Sequence, residues 1–117
     1  MKLYLHEINY SKKFIQDRFD NGKTLWQLCH DLLNGFVTVE SLEQIIVVYQ
    51  DREYIVVDGN RRLFVLKMLD ERNRLGSDKI PVSFNRFTDH FELFEDEELC
   101  FSETAKKDIN NLITHSM

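Results

Sequence analysis

The sequence predicts an α+β fold in which helices flank a small mixed sheet. Short β-branched and aromatic runs, such as 45–49 and 54–57, are typical of strands. Apolar residues three and four positions apart, as in 63–69, are typical of helices. A chain of 117 residues holds one domain with a modest core and is too short for two ordinary domains. We therefore expect one core domain at 1–88, with 89–117 packed on it.

The first part of the chain predicts a strand followed by two helices. Residues 3–8 alternate well enough for a first strand. Ser11 can cap a short helix that ends near Asn21 and Gly22. A capping box, in which Thr24 accepts from the third N–H and Gln27 reaches back, opens the second helix.

The second helix predicts a buried thiol rather than a reactive one. Its apolar stripe ends at Asn34 and Gly35. Cys29 and His30 are neighbours, and neighbours on a helix do not face each other, so a nucleophile–base pair is disfavoured. The stripe consists of Leu25, Leu28, Cys29, Leu32 and Leu33.

A hairpin and a closing strand follow. Residues 41–44 suggest a single helical turn, and the polar segment 50–53 has the length of a hairpin connection. Residues 70–78 are charged and predict an exposed connection. In 80–84, Pro81 indicates an edge or the beginning of a strand rather than a central position.

The C-terminal part combines acidic and aromatic residues. Residues 91–101 either fold back on the domain or dock on a basic partner, and folding back is favoured because exposed aromatics promote aggregation. The helix expected at 103–114 carries Ile109, Leu112 and Ile113 on one side. That side either completes the core or makes a homodimer or protein-partner contact.

Composition limits the function classes. A formal charge of −5 argues against a broad nucleic-acid-binding surface, although a local basic pocket remains compatible with it. Cys29 and Cys100 form no scaffold or C-x-x-C spacing, which is typical of a reduced cytoplasmic protein. No apolar run is long enough to cross a membrane, so we expect no membrane partner.

The chemistry concentrates where the strand 54–57 meets the helix that follows it. Asp58, Gly59 and Asn60 are residue types that tolerate turns and positive φ. The first N–H groups of the helix have no intrahelical partner, and the dipole attracts anions there. Arg61 and Arg62 lie in that first turn, where cations are mildly unfavourable unless an anion lies between them. The anion is either a surface carboxylate, as in ordinary ion pairs, or a bound phosphate.

A family resemblance rests on these residues. The segment from Asp58 to Leu63, after a strand and before an apolar helix, resembles the G-x-R-R segment of the ParB N-terminal domain, whose fold is shared with sulfiredoxin and ParB-like nuclease domains. Residues 80–84 are similar to the strand that closes the unit in that superfamily. The resemblance covers roughly residues 3–87. Supporting blocks are Tyr10-Ser11, Phe19, Asn21-Gly22-Lys23, Gly35 and 45–49.

The resemblance implies a nucleoside triphosphate, CTP or ATP, bound with Mg²⁺. Gly59 would allow close backbone approach, and Asn60 would present its amide at the helix start. Arg61 and Arg62 would hold phosphate oxygens. Asp58 would act as the catalytic and metal residue by holding a Mg²⁺-bound water, or would orient an arginine, or would be an ordinary helix-start carboxylate. Two further phosphate contacts are assigned to Ser11 and Lys23.

Several features of sulfiredoxins and ParB are missing from this sequence, and their absence disfavours the corresponding functions. Sulfiredoxins have a cysteine just after the corresponding glycine, whereas Asn60 follows Gly59 here, so sulfinic acid reduction is disfavoured. ParB has a second arginine motif, a helix-turn-helix and a dimerisation tail. Only Asn85-Arg86 is similar to that second motif, and the chain has no room for the other parts.

Three function hypotheses remain. The first is a nucleotide-binding protein with phosphoryl hydrolysis or transfer. The second is a metal-dependent DNA nuclease or toxin-type domain with Asp58, His6 and Glu7 at the metal, which the acidic charge disfavours. The third is a non-catalytic adaptor that binds a protein partner through its C-terminal segment.

Overall fold

The fold is α+β, as the sequence predicts. The computed structural model describes residues 1–10, 23–84 and 103–115, and within these ranges it contains one five-stranded mixed sheet and three α-helices. The strands are β1 (Lys2–Tyr4), β2 (Ile8–Asn9), β3 (Ile45–Gln50), β4 (Glu53–Asp58) and β5 (Lys79–Phe84). The helices are α1 (Lys23–Leu33), α2 (Asn60–Glu71) and α3 (Glu103–His115). The helix expected after Ser11 and the acidic-aromatic segment 91–101 lie outside the described residues.

The sheet is curled. Its strand order is β1-β5-β3-β4-β2, with antiparallel pairs β1/β5 and β3/β4 and parallel pairs β5/β3 and β4/β2. The two edge strands, β1 and β2, are joined by only three residues, which span at most about 14 Å. In a flat sheet the two edges would lie roughly 19 Å apart. The edges must therefore turn towards each other.

The first strand is a correction to the sequence prediction. Residues 3–8 do not form one strand, because a 3₁₀ turn, Leu5–Glu7, separates β1 from β2. The backbone N–H of Tyr4 donates to Oε2 of Glu7 at 3.1 Å, which stabilises the turn. Leu3 and Leu5 are nevertheless both buried, as their alternation predicts.

The β3–β4 hairpin is confirmed. Its two turn residues, Asp51 and Arg52, have φ of +50° and +66°, as the tight turns of two-residue hairpins require. The helical turn expected at 41–44 is wrong: a 3₁₀ turn lies earlier, at Val39–Ser41. Thr38 and Ser41 cap it reciprocally, since each backbone N–H donates to the other residue's hydroxyl.

Strand β5 lies between β1 and β3, so Pro81 is not on an edge strand. Pairing with β3 begins only at Val82, which lies opposite Ile45. On the other side, the N–H of Val82 donates to the carbonyl of Met1 at 2.9 Å. Pro81 is the third residue of β5 and lies opposite Lys2 of β1, so it is not the beginning of the strand either. Its missing N–H costs no bond to β3, because pairing with β3 begins one residue later.

The three helices pack with the sheet around one main core. Helix α1 begins at Lys23, so Thr24 is not its cap, and Gln27 donates to Asp31 rather than reaching back. The stripe predicted on α1 is confirmed, with Leu25 and Cys29 fully buried and its other leucines packed on the core. Helix α3 packs against α1 and α2 and buries Ile109 and Ile113, so its apolar side completes the core. In the described part of the chain, no helix is long and apolar enough to cross a membrane.

Candidate functional site at the N-terminus of α2

The strand–turn–helix unit is formed as predicted. Strand β4 ends at Asp58, Gly59 has φ of +114°, and α2 begins at Asn60. The N–H of Leu63 donates to the carbonyl of Gly59 at 2.8 Å, which makes Gly59 the N-cap residue. This positive φ is rarely adopted by L-residues, which explains why a glycine stands between strand and helix.

Gly59 is also closely surrounded. A Cβ at this position would lie 3.0 Å from Nη2 of Arg62, 3.2 Å from its Nε and 3.0 Å from Cγ1 of Ile45. Ile45 is 2% exposed and belongs to the core. Glycine is therefore required here both by backbone conformation and by space, and its bare backbone borders the start of α2.

The N-cap residue of α2 has no side chain with which to cap the helix. Gly59 provides no side-chain cap, and the first turn contains no acidic residue. The first backbone N–H groups of an α-helix have no intrahelical partner. Asn60 is buried beside them, 3% exposed, and its Oδ1 atom is buried without a hydrogen-bond partner. Unpaired buried polar atoms are uncommon in folded proteins and often mark functional positions.

Arg62 is held by two carboxylates and a carbonyl. Its Nη1 donates to the backbone carbonyl of Glu43 at 3.0 Å and lies 3.4 Å from that residue's Oε2. Its Nη2 lies 3.6 Å from Oδ2 of Asp58, one helical turn back. The Arg62 side chain is 17% exposed, whereas those of Asp58 and Glu43 are 60% and 83% exposed. Of the two anions considered for the arginines, a surface carboxylate or a bound phosphate, Arg62 has the carboxylates. Asp58 is one of them and orients this arginine.

The two adjacent arginines do not act as one unit. Successive helical residues lie about 100° apart around the axis. Arg61 is exposed, while Arg62 turns towards Glu43. A cavity of about 10 Å³ lies beside Arg62, which is room for about one water molecule. Of the two arginines, Arg61 is the more exposed to solvent.

The metal ligands of the nuclease hypothesis are not brought together. Glu7 and His6 precede β2, which pairs with the beginning of β4 at Tyr54, while Asp58 is at the end of β4. Four residue steps of extended strand, from Tyr54 to Asp58, separate these positions by roughly 13 Å. Among the described residues, no group of three or more histidines, cysteines, aspartates or glutamates is arranged to hold a metal ion.

The structure does not describe the side chains of the two upstream residues that are predicted to contact phosphate. Ser11 lies outside the described residues. Lys23 is the first residue of α1, and its side chain lies outside the described part.

The described thiol has no part in the site. Cys29 is fully buried in the core, and burial raises its pKa from 9.0 to about 11, while the nearby Arg74 cation has a smaller, lowering effect. The prediction of a buried structural thiol is confirmed.

Sequence reasoning missed Glu43. This residue is 19 positions from Arg62, and no local spacing connects the two. A helical spacing in the sequence does indicate which residues share one side of α2. They are Asn60, Phe64, Lys67 and Glu71.

Two comparisons with known proteins assign no family or function to the chain. No protein-family model matches the chain, and no curated protein matches it significantly in sequence.

Proposed function

We propose that this chain binds a nucleoside triphosphate, with Mg²⁺, through phosphate oxygens at the N-terminus of α2. The observation that carries the proposal is a helix whose N-cap is a glycine with no room for a Cβ, and whose described first turn contains no acidic residue. Bare N–H groups at a helix N-terminus bind phosphate through hydrogen bonds and the helix dipole. The unpaired Oδ1 of buried Asn60 is a hydrogen-bond acceptor, so in this proposal its partner is a donor such as a Mg²⁺-bound water rather than a phosphate oxygen.

Each residue has a distinct role in this proposal. Gly59 lets a phosphate approach the backbone, and Arg61 supplies an exposed cation that pairs with phosphate oxygens. Arg62 acts as a positioning residue, because its contacts with Asp58 and Glu43 hold the turn. Mg²⁺ would neutralise the phosphates and keep most of its water ligands, so one exposed carboxylate such as Asp58 is a sufficient protein partner.

The test is thermal unfolding with CTP, ATP, GTP and UTP, each with and without Mg²⁺, and with inorganic tripolyphosphate. A ligand at about 100 times its Kd adds about 2.7 kcal/mol to the free energy of unfolding, which raises the Tm of a domain of this size by several degrees. Phosphate release is followed in the same samples, and turnover that disappears in Asp58→Asn would extend the proposal to hydrolysis.

Three variants separate binding from folding. We expect Arg61→Ala to abolish the ligand-induced shift with a small effect on the ligand-free Tm. Arg62→Ala should lower the ligand-free Tm, since it removes an exposed hydrogen bond and two ion pairs to exposed carboxylates, together worth about 1–2 kcal/mol. Lys2→Ala, which removes the same charge from an exposed position of β1, should leave both values unchanged.

The opposite pattern would refute the proposal. If no nucleotide and no tripolyphosphate raises the Tm, α2 does not bind phosphate. Equal shifts in the wild type and in Arg61→Ala would place the ligand elsewhere.

A further inference from the structure

A cavity of about 340 Å³ lies between α2 and the beginning of α3. This volume falls within the range of small-molecule sites. A second, more open depression borders it and shares Met68, Glu103 and Lys106 with it. The residues around the first cavity are Tyr10, Phe64, Lys67, Met68, Glu71, Glu103 and Lys106.

The cavity lies on the same side of α2 as Asn60. Phe64, Lys67 and Glu71 follow Asn60 by four, seven and eleven positions, so all four residues share one helix face. At 1.5 Å per residue, Phe64 lies about 6 Å and Glu71 about 16 Å along the axis from Asn60. Arg62 points to the other side of the helix, towards Glu43. The described lining of the cavity therefore begins at Phe64, about one helical turn from Asn60 on the same face of α2.

The lining matches a nucleoside. Tyr10 and Phe64 provide aromatic walls, and the ammonium of Lys67 lies 5.0 Å from the Tyr10 ring centroid. Aromatic walls suit a planar base. The far end of the cavity carries carboxylates: Glu103 lies 3.5 Å from Lys106, whereas Glu71 makes no ion pair with another described residue. An ionised carboxylate only accepts hydrogen bonds, so Glu71 suits a base that presents an amino group.

We propose that this cavity is the base-binding subsite, with the base against Phe64 and Tyr10 and its amino group donating to Glu71. The inference rests on the proposed phosphate site, because the cavity lies where the nucleoside of a ligand anchored at Asn60 would extend. It adds a preference among nucleotides. Amino-bearing bases bind better than uracil, whose O4 is an acceptor and faces the carboxylate unfavourably.

The test compares CTP, UTP and tripolyphosphate by isothermal titration calorimetry in the wild type, Glu71→Gln and Glu40→Gln. CTP and UTP differ only in the amino or oxo group at position 4 and in the proton at the neighbouring N3 of the base, so they form a closely matched pair. A good base contact gives roughly tenfold discrimination, so CTP should bind the wild type about tenfold more tightly than UTP. Because an amide both donates and accepts, Glu71→Gln should reduce this ratio to about twofold. Glu40→Gln makes the same change at an exposed distant glutamate and should keep the ratio.

The three ligands distinguish the base subsite from the phosphate site. Equal binding of tripolyphosphate, CTP and UTP would overturn the base subsite and leave the phosphate site standing. Equal binding of CTP and UTP, or a ratio that Glu71→Gln does not change, would also overturn the Glu71 assignment and with it this inference. If neither nucleotides nor tripolyphosphate bind, the proposed function itself fails.

Discussion

Replacing Gly59 by alanine tests the local geometry of the site without reference to any ligand. Two costs add in Gly59→Ala. The φ of +114° is unfavourable for an L-residue by about 1–2 kcal/mol. The new methyl group also lies 3.0 Å from Cγ1 of Ile45, a core atom with little freedom to move, and overpacking of this kind costs about 1–3 kcal/mol. We expect a total loss of about 2–5 kcal/mol.

The other described glycines provide matched controls. Gly35 has φ of +75° but nothing within 4 Å of a Cβ, so Gly35→Ala carries the backbone cost alone, about 1–2 kcal/mol. Gly76 has open space and no positive φ of this kind, so Gly76→Ala should be neutral or stabilising by up to about 1 kcal/mol. The order of stability should therefore be Gly76→Ala, then Gly35→Ala, then Gly59→Ala.

Urea unfolding followed by circular dichroism measures the three free energies. An additional loss of about 1 kcal/mol or more in Gly59→Ala, compared with Gly35→Ala, corresponds to several degrees in Tm for a domain of this size. Equal losses in the two variants would refute the argument, because they would mean that Ile45 and Arg62 adjust to the methyl group without cost.

Two further predictions concern the thiol and the hairpin. Because the pKa of Cys29 is raised from 9.0 to about 11, the unfolded chain loses this proton first, and stability present below pH 9 should fall between pH 9 and 11. In urea titrations this loss should amount to about 2–3 kcal/mol and be absent from Cys29→Ala, and an equal fall in that variant would assign it to other groups. In the hairpin, Arg52→Gly should raise the unfolding free energy by about 0.5–1 kcal/mol, because glycine adopts φ of +66° without strain. Arg52→Ala keeps the strain and should give no gain, and equal stabilisation by both variants would show that loss of the arginine side chain is responsible.

Elements specified by neighbouring residues were predictable from the sequence. In residues 54–69 the pattern changes from strand to helix across a single glycine, and the structure places β4, Gly59 and α2 there. The hairpin at Asp51 and Arg52 is likewise local. Helix α1 ends at Leu33, just before Gly35 in its positive-φ conformation, as the sequence indicates.

Elements that depend on distant contacts were not predictable. Residues 3–8 alternate like a strand, but the chain must leave one sheet edge at Tyr4 and begin the other at Ile8. The alternation of residues 3–8 cannot reveal this change of edge. It arises because β1 pairs with β5 and β2 pairs with β4, and both partners lie some 45–75 residues later in the chain. The turn expected at 41–44 lies at Val39–Ser41 for a local reason that was missed, the reciprocal caps of Thr38 and Ser41.

The adjacent arginines Arg61 and Arg62 show which features of the site the local sequence can predict and which it cannot. Their position in the first turn of α2 was predictable, but their division of labour depends on Glu43, which the fold brings to the side of α2 that Arg62 occupies. Since Arg62 is tied to Glu43 and Asp58, its charge is already largely compensated. The phosphate proposal therefore depends on Arg61 and the backbone of the first turn. A repeated residue in a motif need not have a repeated function, because the helix turns about 100° between one position and the next.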